Sequence, residues 1–230
     1  MRQRRVKNRS LLLQLCSKYI YLGRPVEGVD AKNFLSEDMP ELKPLPSKDM
    51  PGIPEGKPFF LEIGSGKGQF LTRKAVENPD SFFLACEGGI NINIRIMQKA
   101  EELGLTNLLV INEYITRLST WFNEETLDGI YINFCDPWPK DRHEKRRLTH
   151  RENLAEYIKV LKPNGFIEFK TDNDDLFEFS LEEFKAAGLK TVELTRDLYA
   201  SEYKEKNTPT EYEEKFAMAG KNISYIRLSK

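Results

Sequence analysis

A chain of 230 residues with 40% apolar content buries one full core, as a single domain or as a domain with an arm. Its formal net charge of -1 excludes a general polycation. The three cysteines, Cys16, Cys86 and Cys135, are odd in number and show no CxxC or Cys/His spacing, which argues against a disulfide framework or a structural zinc. No apolar run approaches a membrane span, so a soluble cytoplasmic protein with no membrane or obligatory protein partner is expected.

The start of the chain is basic, with Arg2, Arg4, Arg5, Lys7 and Arg9 close together. From Arg24 to Pro58 lie seven of the twelve prolines, with no sustained period of 2 or 3.6. Residues 1–58 therefore read as a basic segment and a Pro-rich arm, and 59–230 as the catalytic domain. From Phe59 onward, strand-like runs alternate with helical patterns. FFLEIG precedes a helix to about Glu77, SFFLACE precedes INIRIMQKAEELG, and NLLVIN precedes a short helix near 116–122. GIYINFCD, a helix over about 150–161, GFIEFKTD, a helix through Ala187, LKTVELTRD and SYIRLSK complete the series. This alternation predicts an α/β fold: a doubly wound, mostly parallel sheet with helices on both faces. In such sheets ligands bind beyond the carboxyl ends of the strands. There the chain places Glu62 to Gly68, Glu87, Asn112, Asp136 and Asp172.

The first strand runs into LEIGSGKGQF, with Gly64, Gly66 and Gly68 in G-x-G-x-G order. Gln69 stands where a dinucleotide fingerprint needs glycine or alanine, and no glycine precedes Gly66-Lys67 at P-loop spacing. A glycine loop with an acid, Glu62, two residues upstream suits an adenosine-type ligand that carries a cation, as S-adenosylmethionine does. A tight strand-to-helix turn without a ligand is the plainer alternative. Glu87 ends the second strand, where nucleotide-binding α/β folds place an acid for ribose hydroxyls; it also suits a helix cap for the segment beginning at Gly88.

In GIYINFCDPWPKDRHEKRRL the strand is expected to end at Asp136, stopped by Pro137, which holds the carboxylate at the rim of the cleft. Asp136-Pro137-Trp138-Pro139 is related to, but distinct from, the Asp/Asn-Pro-Pro-aromatic motif of methyltransferases that act on exocyclic amines. Lys140, Arg142, Lys145, Arg146, Arg147 and Arg151 follow, and residues 172–214 offset them with 13 acids against 5 bases. Each basic run alone is compatible with a solvated face; two in a neutral chain point to a localised anionic partner, with phosphates gripped by the cations. His143 reads as a polar contact rather than a general base.

Through LEIGSGKGQF, NFCDPWPKDRHEKRRLTH, FKTDNDDLFEFS and TEYEEKF, the chain resembles the bacterial tRNA (guanine-N7)-methyltransferases, the TrmB family, essentially from Phe59 to its end. The resemblance implies a class I methyltransferase fold, S-adenosylmethionine as methyl donor with no metal, tRNA as partner, and methylation of guanine N7 at position 46 in the variable loop. Carried over by position, it implies Glu62, Gly64, Gly66, Glu87 and Asp136 as cofactor contacts, with Asp136 also catalytic. Lys140, Asp172, Thr210, Glu211, Tyr212 and Glu213 become substrate contacts. The family's Asp near the end of the third strand is absent from VINEYI; Asn112 is the candidate to meet the adenine amine, with Glu113 or Tyr114 as alternatives. Thr210 to Glu213 also matches a capping box.

Guanine N7 is a nucleophile as it stands, so positioning replaces base catalysis. Asp136 or Asp172 is placed to bind the N1-H and N2-H donors as positive charge develops on the base. A methyltransferase for another RNA or a small molecule, or an RNA-binding protein with an inactive domain, are the rival readings. The intact loop and acids oppose the inactive domain, and the basic flanks oppose a small substrate.

Overall fold

The computed structural model describes residues 7–21 and 55–230 apart from Thr116 and Ala219. Within them one sheet is built from β1 (Ile20–Tyr21), β2 (Phe59–Ile63), β3 (Phe82–Cys86), β4 (Leu108–Ile111), β5 (Leu127–Asn133), β6 (Leu161–Thr171), β7 (Lys190–Thr195) and β8 (Ser224–Ser229). Their order across the sheet is β1-β4-β3-β2-β5-β6-β8-β7. Pairings from β1 to β6 are parallel, while β8 runs antiparallel to both its neighbours. The helices are α1 (Arg9–Leu15), α2 (Gln69–Glu77), α3 (Ile90–Glu102), α4 (Arg151–Val160), α5 (Asp174–Ala186) and α6 (Glu211–Met218).

The central strands are apolar on both faces because helices cover both. Phe59, Leu61, Ile63, Phe82, Leu84, Ile130, Ile132, Ile167 and Phe169 share one core with Leu154 of α4 and Phe177 of α5. Their alternate neighbours Phe83, Ala85, Leu108, Val110 and Tyr131 share the other with Phe70 of α2, Ile94 and Met97 of α3 and Leu13 of α1. Residues 7–21 thus dock onto the same sheet: β1 pairs with β4, and the Tyr19 hydroxyl donates to the Ala100 carbonyl at 3.1 Å. The expected arm over 24–58 lies almost wholly outside the described residues, as do Arg2, Arg4 and Arg5.

Boundaries differ from expectation, and β6 begins at Leu161, ahead of GFIEFKTD. The short helix near 116–122 is a single 3-10 turn, Leu118–Thr120. β5 stops at Asn133, three residues before Asp136, because Phe134 takes a φ of 52° and leaves the extended region.

Candidate active site

After β2 the chain turns through Gly64, Gly66 and Gly68, with φ of 75°, 51° and 73°. Only glycine adopts three left-handed conformations in five residues without strain. The amides of Gly64 and Ser65 donate to the Cys86 carbonyl at 2.8 and 3.3 Å, pinning the loop to the end of β3. At Gly68 a Cβ would come within 2.8 Å of Ile96, so packing demands glycine; at Gly64 and Gly66 it would meet open space. That space belongs to a cavity of about 360 Å³ whose walls include Glu62, Ser65, Asn133, Thr210 and Tyr212.

The cavity lies where the strand order reverses. The chain runs outward from β2 to β3 and β4, then returns to lay β5 on the other side of β2. Glu62 and Asn133 meet across this point: the Asn133 side-chain amide donates to Glu62 Oε1 at 2.8 Å, and both residues are buried. Glu62 Oε2, Asn133 Oδ1 and Ser65 Oγ are buried without a hydrogen-bond partner. Burial is the largest influence on Glu62 and pushes its carboxyl up to about 7, against the lowering effects of Asn133 and Lys170. Buried acceptors left unpaired are costly unless a ligand completes them. A cation bearing N–H donors fits this group of oxygens.

Glu87 follows β3 and is also buried. Its Oε1 accepts from the Gly89 amide at 3.1 Å, and the amides of Gly66 and Gly88 and the Tyr114 hydroxyl also hydrogen-bond to it. Burial nevertheless outweighs these bonds and raises its pKa. A carboxylate set against backbone amides of the glycine loop is suited to a diol. Asn93, which sequence reasoning passed over, is wholly buried and donates at 2.7 Å to both the Glu87 carbonyl and Asn112 Oδ1. Asn112 thus sits beside Glu87 at the end of β4, its oxygen already accepting one bond. Glu113 turns its Oε1 to the Tyr114 amide at 2.9 Å. The Tyr114 ring covers Gly88, where a Cβ would lie 2.1 Å from it.

Asp136 is exposed on an irregular turn rather than on a strand. Trp138 adopts a φ of 42°, and Arg147 holds the turn from behind, donating to the carbonyls of Pro137 and Trp138, both at 3.1 Å. The Arg146 guanidinium lies 4.8 Å from the Trp138 ring centre, and His143 meets that ring edge-on, as a packing partner. The cations of this segment therefore divide. Arg151 forks onto buried Glu183 at 2.5 Å, and Lys145 pairs with Glu152 at 2.6 Å. Lys140 and Arg142 are exposed, as is Asp136.

Just beyond the end of β6, Asp172 Oδ2 accepts from the Tyr212 hydroxyl at 3.3 Å and from Lys221 at 3.1 Å. Tyr212 stacks on Phe216 at 4.1 Å and tilts against Phe134 at 5.0 Å, so α6 closes over the turn after β5. Glu211 pairs with Lys67 of the glycine loop at 2.7 Å. Thr210 and Glu213 form the capping box: the Glu213 amide donates to Thr210 Oγ1 at 2.9 Å, and the Thr210 amide to Glu213 Oε2 at 3.3 Å. Unlike its three predecessors, Glu213 is wholly buried and ion-paired to Lys170, so its carboxylate is turned inward.

A family model described as "Putative methyltransferase" matches residues 56–226. The tRNA (guanine-N(7)-)-methyltransferase of Latilactobacillus sakei subsp. sakei (strain 23K) is 46% identical over 167 residues, 73% of this chain and 78% of the relative. That of Lachnoclostridium phytofermentans is 45% identical over 72% of this chain and 78% of its own length. Among solved structures, the 16S rRNA methyltransferase KamB aligns with a TM-score of 0.58 at 15% identity, covering 75% of this chain and 87% of that one. An antibiotic-related methyltransferase aligns with a TM-score of 0.55 at 18% identity, covering 76% and 87%. At these identities the two structures speak to the fold alone, which is that of class I methyltransferases.

Proposed function

The chain belongs to the tRNA (guanine-N(7)-)-methyltransferase family, and from that membership we propose how its cavity and rims perform the reaction. The protein is an S-adenosylmethionine-dependent methyltransferase that acts on N7 of a guanine in tRNA. The observation that carries the site assignment is the set of buried, unpaired oxygens at the strand-order reversal, on Glu62, Asn133 and Ser65. They fit the ammonium of S-adenosylmethionine, while Glu87 fits its ribose hydroxyls and Gly64 and Gly66 leave room for close approach. Asn112 is our candidate neighbour of the adenine, with Glu113 and Tyr114 next to it. Asp136, our candidate catalytic residue, lies three residues beyond Asn133 of the cavity wall.

When bound, S-adenosylmethionine supplies an electrophilic methyl group. The residues of the chain have the complementary task of placing the guanine. N7 carries its own lone pair, so no proton has to be removed before attack. Asp136 follows Asn133 and Phe134 of the cavity wall and Asp172 bonds Tyr212 of that wall, and we place the guanine where either carboxylate can accept from its N1-H and N2-H, an interaction that strengthens as the base becomes cationic. Tyr212 and Lys221 hold Asp172 in place, and Arg147 holds the Asp136 turn. Lys140 and Arg142 offer phosphate contacts beside the reacting base, with Thr210, Glu211 and Tyr212 on the other side. A-form RNA hides N7 in a deep, narrow groove, which favours an accessible guanine such as position 46 of the variable loop.

We assign the catalytic unit to residues 59–230, onto whose sheet and core residues 7–21 dock. No helix among the described residues is long and apolar enough to cross a membrane. A tRNA substrate together with three free cysteines supports a cytoplasmic location. Incubating tRNA with methyl-labelled S-adenosylmethionine and mapping the modified nucleotide tests the reading. Label at N7 of one variable-loop guanine is the expected result; label at another atom or in another loop would contradict it.

A further inference from the structure

Lys170 lies near the end of β6 with its side chain wholly buried, an unusual place for an ammonium group. It is fully engaged there. Its Nζ donates to Asn207 Oδ1 at 3.0 Å, the Thr208 carbonyl at 3.1 Å and Glu213 Oε2 at 2.8 Å, and lies 5.0 Å from the centre of the Phe70 ring. Glu213 in turn accepts from the Tyr199 hydroxyl at 3.1 Å, the Asn207 side-chain amide and the Thr210 amide.

Three parts of the site meet in this network. β6 continues from Lys170 directly to the Asp172 rim. Phe70 belongs to α2, immediately after the glycine loop. The 207–213 turn carries Thr210, Glu211 and Tyr212 into the cavity wall. The geometry points to Lys170 and Glu213 as a positioning pair that fixes the start of α6, and so holds Tyr212 against Asp172, without either residue touching the substrate. The inference rests on the reading of the cavity and the Asp172 rim as the methylation site. Stability alone gives little reason for such a pair, since apolar replacements of similar volume are often as stable or more so. What they lack is direction: these hydrogen bonds permit one placement of the turn relative to β6.

The test compares wild type, Lys170→Met, Glu213→Gln and the double variant of the full chain. It reads single-turnover methyl transfer at saturating tRNA and S-adenosylmethionine, together with calorimetric affinity for the cofactor and equilibrium affinity for tRNA. Each single variant should slow transfer by about 10- to 100-fold, the scale of a misplaced reacting group, while the cofactor affinity of Glu213→Gln, which keeps the Lys170 charge near Glu62, stays within about threefold. The double variant should be no slower than the slower single, because both changes release the same constraint. If Lys170→Met fails to fold, the double variant, which buries no unpaired charge, still gives the comparison with wild type. Losses that multiply in the double, a folded double with wild-type rate, or a Glu213→Gln effect confined to tRNA affinity would each overturn the proposal. A wild-type protein that does not bind S-adenosylmethionine would instead refute the site assignment beneath it, before any substitution is made.

Discussion

The Glu62 carboxylate and the Asn133 amide meet at 2.8 Å across the point where the strand order reverses, and each leaves one buried oxygen unpaired. The free protein thereby bears a cost that a bound cation relieves. Glu62 is held near 7 in the fold against 4.5 as its ordinary value, chiefly by burial. Between those values the unfolded chain releases a proton that the folded chain keeps, so this group's contribution to stability falls as pH rises through that window. Above pH 7 the penalty is complete, about 3 kcal/mol at 1.36 kcal/mol per unit. Unliganded Glu62→Gln should therefore melt higher than wild type at pH 8, with the gap closing towards pH 5. Thermal melts in matched buffers check this; a gap independent of pH would contradict it.

Cofactor binding has the opposite demand, because an ammonium group pairs with the ionised form of Glu62. Affinity for S-adenosylmethionine should fall as pH drops below about 7, and binding near pH 6.5 should release protons to the buffer. Calorimetry in buffers of different ionisation enthalpy reads that release directly. An observed enthalpy indifferent to the buffer would place the ammonium elsewhere.

Glu87 is predicted to hold the ribose. Glu87→Ala removes a charge-assisted contact and should weaken S-adenosylmethionine binding by about 1.5–3 kcal/mol. Unchanged affinity in a folded variant would leave Glu87 only the work of holding the Gly88-Gly89 turn, to which it is also bonded.

The cations after Asp136 should separate into two classes. Lys140→Ala and Arg142→Ala are expected to lower the slope of log tRNA affinity against log salt by about one each, with cofactor affinity unaffected. Arg147→Ala should leave that slope nearly unchanged and slow methyl transfer, because Arg147 bonds the carbonyls of Pro137 and Trp138. Arg151→Ala should mainly destabilise the fold by removing the guanidinium from the buried carboxylate of Glu183, which keeps only the backbone amide of residue 151 as donor. Equal slope changes for all four would return the whole segment to one undivided phosphate-binding patch.

Much of this arrangement was legible in the chain because local rules and tertiary outcome agree. Apolar runs such as FFLEI and FFLAC are buried on both faces, and the glycine spacing is the spacing of left-handed conformations. Glu62, Glu87 and Asp172 fall at or just beyond the ends of β2, β3 and β6. What stayed hidden depends on partners distant in sequence. Nothing around Lys170 announces Glu213, 43 residues on, and nothing around Asn133 announces Glu62, 71 residues before. Arg147 and Arg151 look like their exposed neighbours until the fold brings Pro137 and Glu183 against them. The early end of β5 turns on a single left-handed residue, Phe134, a conformation that its side chain does not advertise.

The account turns on Asp136 acting at the reacting base, and Asp136→Asn tests that most directly. The amide keeps the shape of the side chain but cannot offset a developing positive charge. Single-turnover transfer at saturating tRNA and S-adenosylmethionine should slow by about 10²-fold or more, the scale of losing one preorganised electrostatic contact, with tRNA affinity nearly intact. A rate near that of wild type would contradict the account, leaving Asp136 to shape the turn and catalysis to rest on its neighbours.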